Sequence, residues 1–94
     1  MDLGLRDKII LVTGGAKGIG AATVKAFSAE DCRVVLVDRD TETGTSLKKS
    51  LGSRVSYIKA DLTNLEACKK AIEQTVSLFG GLDVLVNNAG FNDG

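Results

Sequence analysis

The stretch VTGGAKGIGAA, residues 12–22, carries glycine at 14, 15, 18 and 20, directly after an apolar run and directly before a helix-like pattern. A turn that leads from a strand straight into a helix aims several backbone N–H groups at one point, where the helix dipole adds about half a positive charge. That point suits phosphate. A side chain at Gly14, Gly18 or Gly20 would obstruct the tight turn, the approach of a pyrophosphate, or the packing of helix on strand.

Outward from this loop, short apolar runs alternate with longer helical patterns, the signature of βαβ units in a parallel sheet. KIILVT (8–13) and RVVLVD (33–38) are almost continuously aliphatic, as strands covered on both faces are. RVSYIKAD (54–61) mixes in polar residues and belongs nearer an edge, whereas DVLVNN (83–88) is apolar again. From Ile19, the positions Ala22, Thr23, Ala26 and Phe27 form a helical stripe expected to lie on the sheet. A second helix is expected over 41–51, with Leu47 and Leu51 one turn apart and Gly52 as its stop. For the third, Thr63 and Glu66 fit a capping box, and Leu65, Cys68, Ile72, Val76 and Phe79 make a stripe ending at Gly80 and Gly81. Right-handed crossovers then give an α/β fold, a Rossmann-type doubly wound parallel sheet of strand order 3-2-1-4. Strand four reads as an interior strand yet lacks a fifth neighbour, so a longer parent protein, of which residues 1–94 are the first half, or a partner over that edge is expected.

Composition narrows the partners. Ninety-four residues make one domain at most. Twelve basic and twelve acidic residues leave no net charge, which argues against nucleic acid and anionic membrane surfaces as partners. No apolar run approaches the roughly 18 residues of a membrane span, and the first residues lack the features of a secretory signal, so the cytoplasm is the expected location. Cys32 and Cys68 suit neither a disulfide scaffold nor a zinc site and are expected to be small apolar residues; with no histidine, no metal site is expected.

Asp38 ends the second strand eighteen residues beyond Gly20, close to the offset of about 20 expected for an acid that grips an adenosine ribose. A P-loop reading fails, because no Lys-Ser or Lys-Thr follows the last glycine. Taken together, TGGAKGIG (13–20), DL (61–62) and NNAG (87–90) closely resemble the short-chain dehydrogenase/reductase family, in its order and at its spacing, over essentially the whole chain. The resemblance implies that Gly14, Gly18 and Gly20 line the pyrophosphate of a nicotinamide dinucleotide and that Ile19 contributes a backbone N–H. It further implies that Asp38 takes the ribose hydroxyls, that Asp61 and Leu62 border the adenine, that Asn87 braces the sheet, and that Ala89 and Gly90 let the nicotinamide ribose approach. A carboxylate at 38 repels a 2′-phosphate and favours NAD. Lys17 and Arg39 argue for NADP, since basic residues at these places often accompany it in the family. NAD is the favoured expectation and NADP the alternative.

Hydride transfer also needs a group to move a proton at the alcohol or carbonyl oxygen of the small-molecule substrate. In the family this falls to a Ser and a Tyr-x-x-x-Lys pair, and the family's catalytic segment with that pair is not found among these residues. Tyr57, its single tyrosine, lies in strand three with Lys59 on the same face and is expected to be structural. No catalytic residue is therefore expected within residues 1–94. The opening and closing segments, with Asn92 and Asp93 after NNAG, are similar to the sugar-oxidising branch, particularly L-fucose dehydrogenases. The alternatives are an oxoacyl thioester reductase of the same family, a regulatory module that binds NAD without chemistry, or a fragment that assembles through its open edge. The resemblance also implies a homo-oligomer, a tetramer.

Overall fold

Val34, Val35, Leu36 and Val37 are wholly buried, as befits an interior strand of a sheet with helices on both faces. The computed structural model describes residues 4–88. Its elements run β1 (Ile9–Thr13), α1 (Gly18–Ala29), β2 (Arg33–Asp38), α2 (Thr41–Leu51), β3 (Val55–Lys59), α3 (Leu65–Phe79) and β4 (Val84–Asn87). All pairings are parallel, and the order is β3-β2-β1-β4, which is the expected doubly wound arrangement. The bracket between β1 and β4 is polar: the Ile9 N–H donates to Asp83 Oδ2 at 2.8 Å and the Asp83 N–H to the Ile9 carbonyl at 2.9 Å. These two bonds align Ile10 with Val84.

Strand alternation divides the core in two. Ile10, Val12, Val34, Leu36 and Val55 meet Val24 and Phe27 of α1 and Leu47 and Leu51 of α2 on one face. Leu11, Val35 and Val37 meet Ala67, Ala71, Ile72 and Phe79 of α3 on the other. Cys32 is buried in the first layer, and its thiol donates to the Leu5 carbonyl. Burial pushes that thiol's pKa up, in keeping with an inert packing role. No helix among the described residues is long and apolar enough to cross a membrane.

Two of the expected helix faces are displaced. On α1 the buried residues are Gly20 and Val24, while Ile19 is 77% exposed and Ala22 and Ala26 are also exposed. The helix approaches the sheet through a glycine, which contributes nothing to an apolar periodicity but permits the closest contact. On α3, Leu65 is 81% exposed and Val76 is also exposed, whereas Ala71 and Thr75 are buried. Thr75 tolerates this because its hydroxyl donates to the Ala71 carbonyl at 2.9 Å. The expected capping box is also corrected. The N-cap of α3 is Asn64, whose Oδ1 accepts from the N–H groups of Glu66 and Ala67, while Thr63 turns its hydroxyl to Asp61. Asn competes well with Thr for this position because its carbonyl oxygen reaches both amides. Expected helix ends at Gly52 and Gly80 agree with the caps observed. At the edge, Val84 and Leu85 of β4 are 37% and 49% exposed.

Tyr57 is structural. Its ring packs on Gly44 of α2, and its hydroxyl donates to the Asp38 carbonyl at 2.8 Å. A Cβ at Gly44 would run into the ring, lying 2.6 Å from Cδ1. Alanine normally stabilises a helix interior relative to glycine, but here the ring would have to move and lose its hydrogen bond. Gly44→Ala is expected to destabilise the fold by about 1–3 kcal/mol. Gly81→Ala, where a Cβ meets open space, should stay within about 0.5 kcal/mol of the parent. Urea denaturation of both variants checks the contrast.

Candidate nucleotide-binding site

The site begins where β1 stops. The N–H groups of Gly14 and Gly15 both reach the Val37 carbonyl, at 2.8 and 3.3 Å, bending the chain over the end of β2. Gly15 is a packing glycine: a Cβ there would lie 2.9 Å from Leu36 Cβ. Gly18 adopts φ +55° with open space beside it. At Gly20 a Cβ would collide with the Gly14 carbonyl and lie 2.8 Å from Asn88 Nδ2. The first intrahelical bond of α1 runs from Ala21 N–H to the Lys17 carbonyl. The amides of Gly18, Ile19 and Gly20 therefore precede the ladder. Lys17 is the N-cap and makes no capping bond, and the first turn carries no acidic residue. An anion there meets N–H donors, a helix dipole and no competing carboxylate on that turn.

Asp38 holds the other side of this bend. Its Oδ2 accepts from the Ala16 N–H at 3.2 Å and its Oδ1 from the Asp40 N–H at 3.0 Å. A carboxylate offers about four acceptor positions, so each oxygen retains one. A pocket of about 230 Å³ opens beside it, lined by Gly14, Asp38, Arg39, Asp61, Leu62 and Thr63 among others. Asp61 is fixed by the hydroxyl and N–H of Thr63, at 2.6 and 3.0 Å, and these bonds hold its pKa below the usual carboxylate value. Gly14, Asp38, Arg39, Asp61 and Leu62, expected from sequence to share a site, thus line one pocket. Lys17, Gly18, Ile19 and Gly20, expected in the same site, are not among its lining residues; Lys17 and Ile19 are exposed.

Lys17 is not a free solvated charge. Its Nζ lies 2.9 Å from Asp40 Oδ2, while Asp40 Oδ1 caps α2 by accepting from the Thr43 N–H at 3.1 Å. The contact raises the lysine pKa. The Lys17 ammonium, with help from Thr43, brings Asp40 down to about 2. The role of Asp40 was missed from sequence, although an Asp one residue before a helical pattern is an N-cap signal.

Asn87 ends β4 opposite Thr13. The Thr13 hydroxyl donates to Asn87 Oδ1 at 3.0 Å, has the Val86 carbonyl at 3.3 Å, and accepts from the Asn88 N–H at 2.9 Å. Thr13 is the second residue that sequence reasoning overlooked; its signal was a lone hydroxyl closing an aliphatic strand. Ala89 and Gly90, like Asn92 and Asp93, lie outside the described residues.

Comparison with known proteins agrees with this fold. The family model for short chain dehydrogenase matches residues 8–94, and the chain belongs to the short-chain dehydrogenase/reductase family. It is 42% identical over 90 residues to secoisolariciresinol dehydrogenase of Forsythia intermedia, covering 95% of this chain and 32% of that protein. It is also 42% identical over 93 residues to a probable galactose dehydrogenase, GalD, of Rhizobium meliloti (strain 1021), covering 95% and 36%. A crystal structure of a short chain dehydrogenase from Bacillus anthracis superposes with a TM-score of 0.85 at 30% identity, over 92% of this chain and 36% of that one. The chain spans about a third of the length of the curated relatives it matches.

Because the folded-state pKa of Asp40 lies below the usual 3.8, its charge stabilises the fold above about pH 4, and that contribution is lost as the pH falls toward 2. Carboxyl carbon NMR should give Asp40 a midpoint near 2 in the parent, moving back toward 3.8 in Lys17→Gln. An unchanged midpoint in the variant would refute the pairing.

Proposed function

We propose that residues 1–94 are the cofactor-binding part of an NAD-dependent oxidoreductase that transfers a hydride between the nicotinamide and an alcohol or carbonyl substrate. The observation that carries this is the uncapped start of α1, with the Asp38 carboxylate and the Asp61–Leu62 pocket beside it. The residues present fit a dinucleotide: glycine where a backbone must be approached, amides for a diphosphate, and spare acceptors on Asp38 for two hydroxyls. In this reading Gly14, Gly18, Gly20 and the Ile19 amide hold the diphosphate, Asp38 orients the adenosine ribose, and Arg39, Asp61 and Leu62 border the adenine. Asn87, with Ala89 and Gly90 beyond it, serves the nicotinamide ribose. Bound there, the nicotinamide supplies the hydride chemistry. The proton-handling Ser and Tyr-x-x-x-Lys pair would belong to the two thirds of the relatives' length that this chain does not span.

NAD is preferred over NADP because Asp38 presents a negative charge where a 2′-phosphate would sit, and because Lys17 is already paired with Asp40. A sugar is the substrate class we favour, supported by the likeness to the probable galactose dehydrogenase. We further propose a cytoplasmic homo-oligomer, a tetramer as the family resemblance implies.

Isothermal titration of the complete protein with NAD and NADP tests the reading. NAD should bind more tightly; failure to bind either nucleotide would overturn it. Gly18→Ala should cost about 1–2 kcal/mol of stability from its left-handed backbone and weaken NAD by roughly tenfold or more, since the Cβ enters the space a phosphate needs. Asp38→Ala should weaken NAD roughly ten- to a hundredfold, the range for lost hydrogen bonds to a charged group.

A further inference from the structure

Four charged side chains come together where the glycine loop meets the end of β2: Lys17 on the loop, Asp38 and Arg39, which line the pocket, and Asp40 at the cap of α2, whose N–H donates to Asp38 and whose carboxylate holds Lys17. Asp38 accepts from the amide of Ala16, the residue before Lys17, and the lysine ammonium feels the charges of both Asp38 and Arg39. Lys17 is thus one residue from the amide that Asp38 holds, and its ammonium pairs with Asp40, whose own N–H is bonded to Asp38. Asp40 Oδ2 holds the ammonium at 2.9 Å. The two partners are unequal in freedom. The Lys17 side chain is 68% exposed on a long stem, whereas that of Asp40 is 29% exposed and anchored by its bond to Thr43. The aspartate is therefore the fixed post and the lysine the tethered group.

Resting on the NAD reading above, we propose that Asp40 is a specificity-determining positioning residue. It never touches the cofactor, and it lowers affinity for NADP by occupying Lys17, the nearest ammonium able to meet a 2′-phosphate. A dianionic phosphate would have to draw Lys17 away from Asp40, leaving a second carboxylate uncompensated next to Asp38. Two ribose hydroxyls ask for no such exchange. Asp40 also cancels an attraction: while it is charged the cluster holds two acids and two bases, and neutralising Asp40 leaves it net positive. The device discriminates by what it withholds from the phosphorylated cofactor, as specificity frequently requires.

Asp40→Asn isolates the charge, since asparagine caps a helix as well as aspartate does and can still accept from the Thr43 N–H. In the complete protein, titration calorimetry of Asp40→Asn should show NADP binding strengthened roughly five- to tenfold, the scale of one exposed charge pair. NAD affinity should stay within about twofold. The gain should shrink as salt rises and vanish in Lys17→Met/Asp40→Asn. Asp40→Ser, also a good cap, carries the same expectation if the asparagine variant folds poorly. An unchanged NADP-to-NAD ratio, or a gain that persists without Lys17, would overturn the proposal while leaving NAD binding intact. A parent protein that binds neither nucleotide would overturn both.

Discussion

Gly20 rests against the carbonyl of Gly14, so closely that no side chain fits between helix and turn. This contact sets how α1 leaves β1, and much of the first half-core follows from it. With Gly20 against the bend, Val24 comes round one turn later onto Val12 and Leu36, and Phe27 a further turn on completes the layer. The same approach brings the start of α1 against Gly14, a residue that lines the pocket. A larger residue would lift the helix, open the core and move the amides together. Packing and anion recognition are thus one constraint in this turn.

The strands, their order and the position of the glycine loop were legible in the sequence because each rests on a strong local signal. The aliphatic runs can only be covered strands, and three crossovers of ordinary hand leave a single plausible order. The helix faces were less legible. Apolar periodicity assigned Ile19, Ala22 and Leu65 to the core, yet the sheet is met by Gly20 and Val24 on α1 and by Ala71 and Thr75 on α3. Close parallel packing selects small residues, and those carry little hydropathy. The candidate pocket was legible as a set of backbone positions and two acids, Asp38 and Asp61. Its polar side-chain connections were not, since Thr13 with Asn87 and Lys17 with Asp40 join residues from different units of the chain, and no local pattern records such pairs.

Those connections converge on the strand tips. Tyr57 joins β3 to the end of β2, Asp38 joins β2 to the glycine loop and to the start of α2, and Thr13 joins β1 to β4. Between the helices the sheet is held by apolar burial, which is strong but indifferent to direction. Directional bonds at the tips give the loops definite positions. Among the described residues no buried side-chain nitrogen or oxygen lacks a partner, as a rigid site requires.

A parallel sheet makes this division of labour natural. Where its ladder ends, backbone donors and acceptors lose their partners, and leaving them buried and unpaired costs about 1–3 kcal/mol each. Polar side chains must therefore gather at the tips for the sake of the fold alone. A side chain recruited in this way seldom spends its whole bonding capacity on the backbone. Asp38 illustrates it, since the amides of Ala16 and Asp40 take one position on each oxygen and leave the others free on a side chain that lines the pocket. A residue needed to finish the sheet thereby becomes preorganised for a hydroxylated ligand, its rotamer already fixed before anything binds. The same economy explains why the site lies at the strand ends and not on a helix face, where satisfied backbone groups recruit no such side chains.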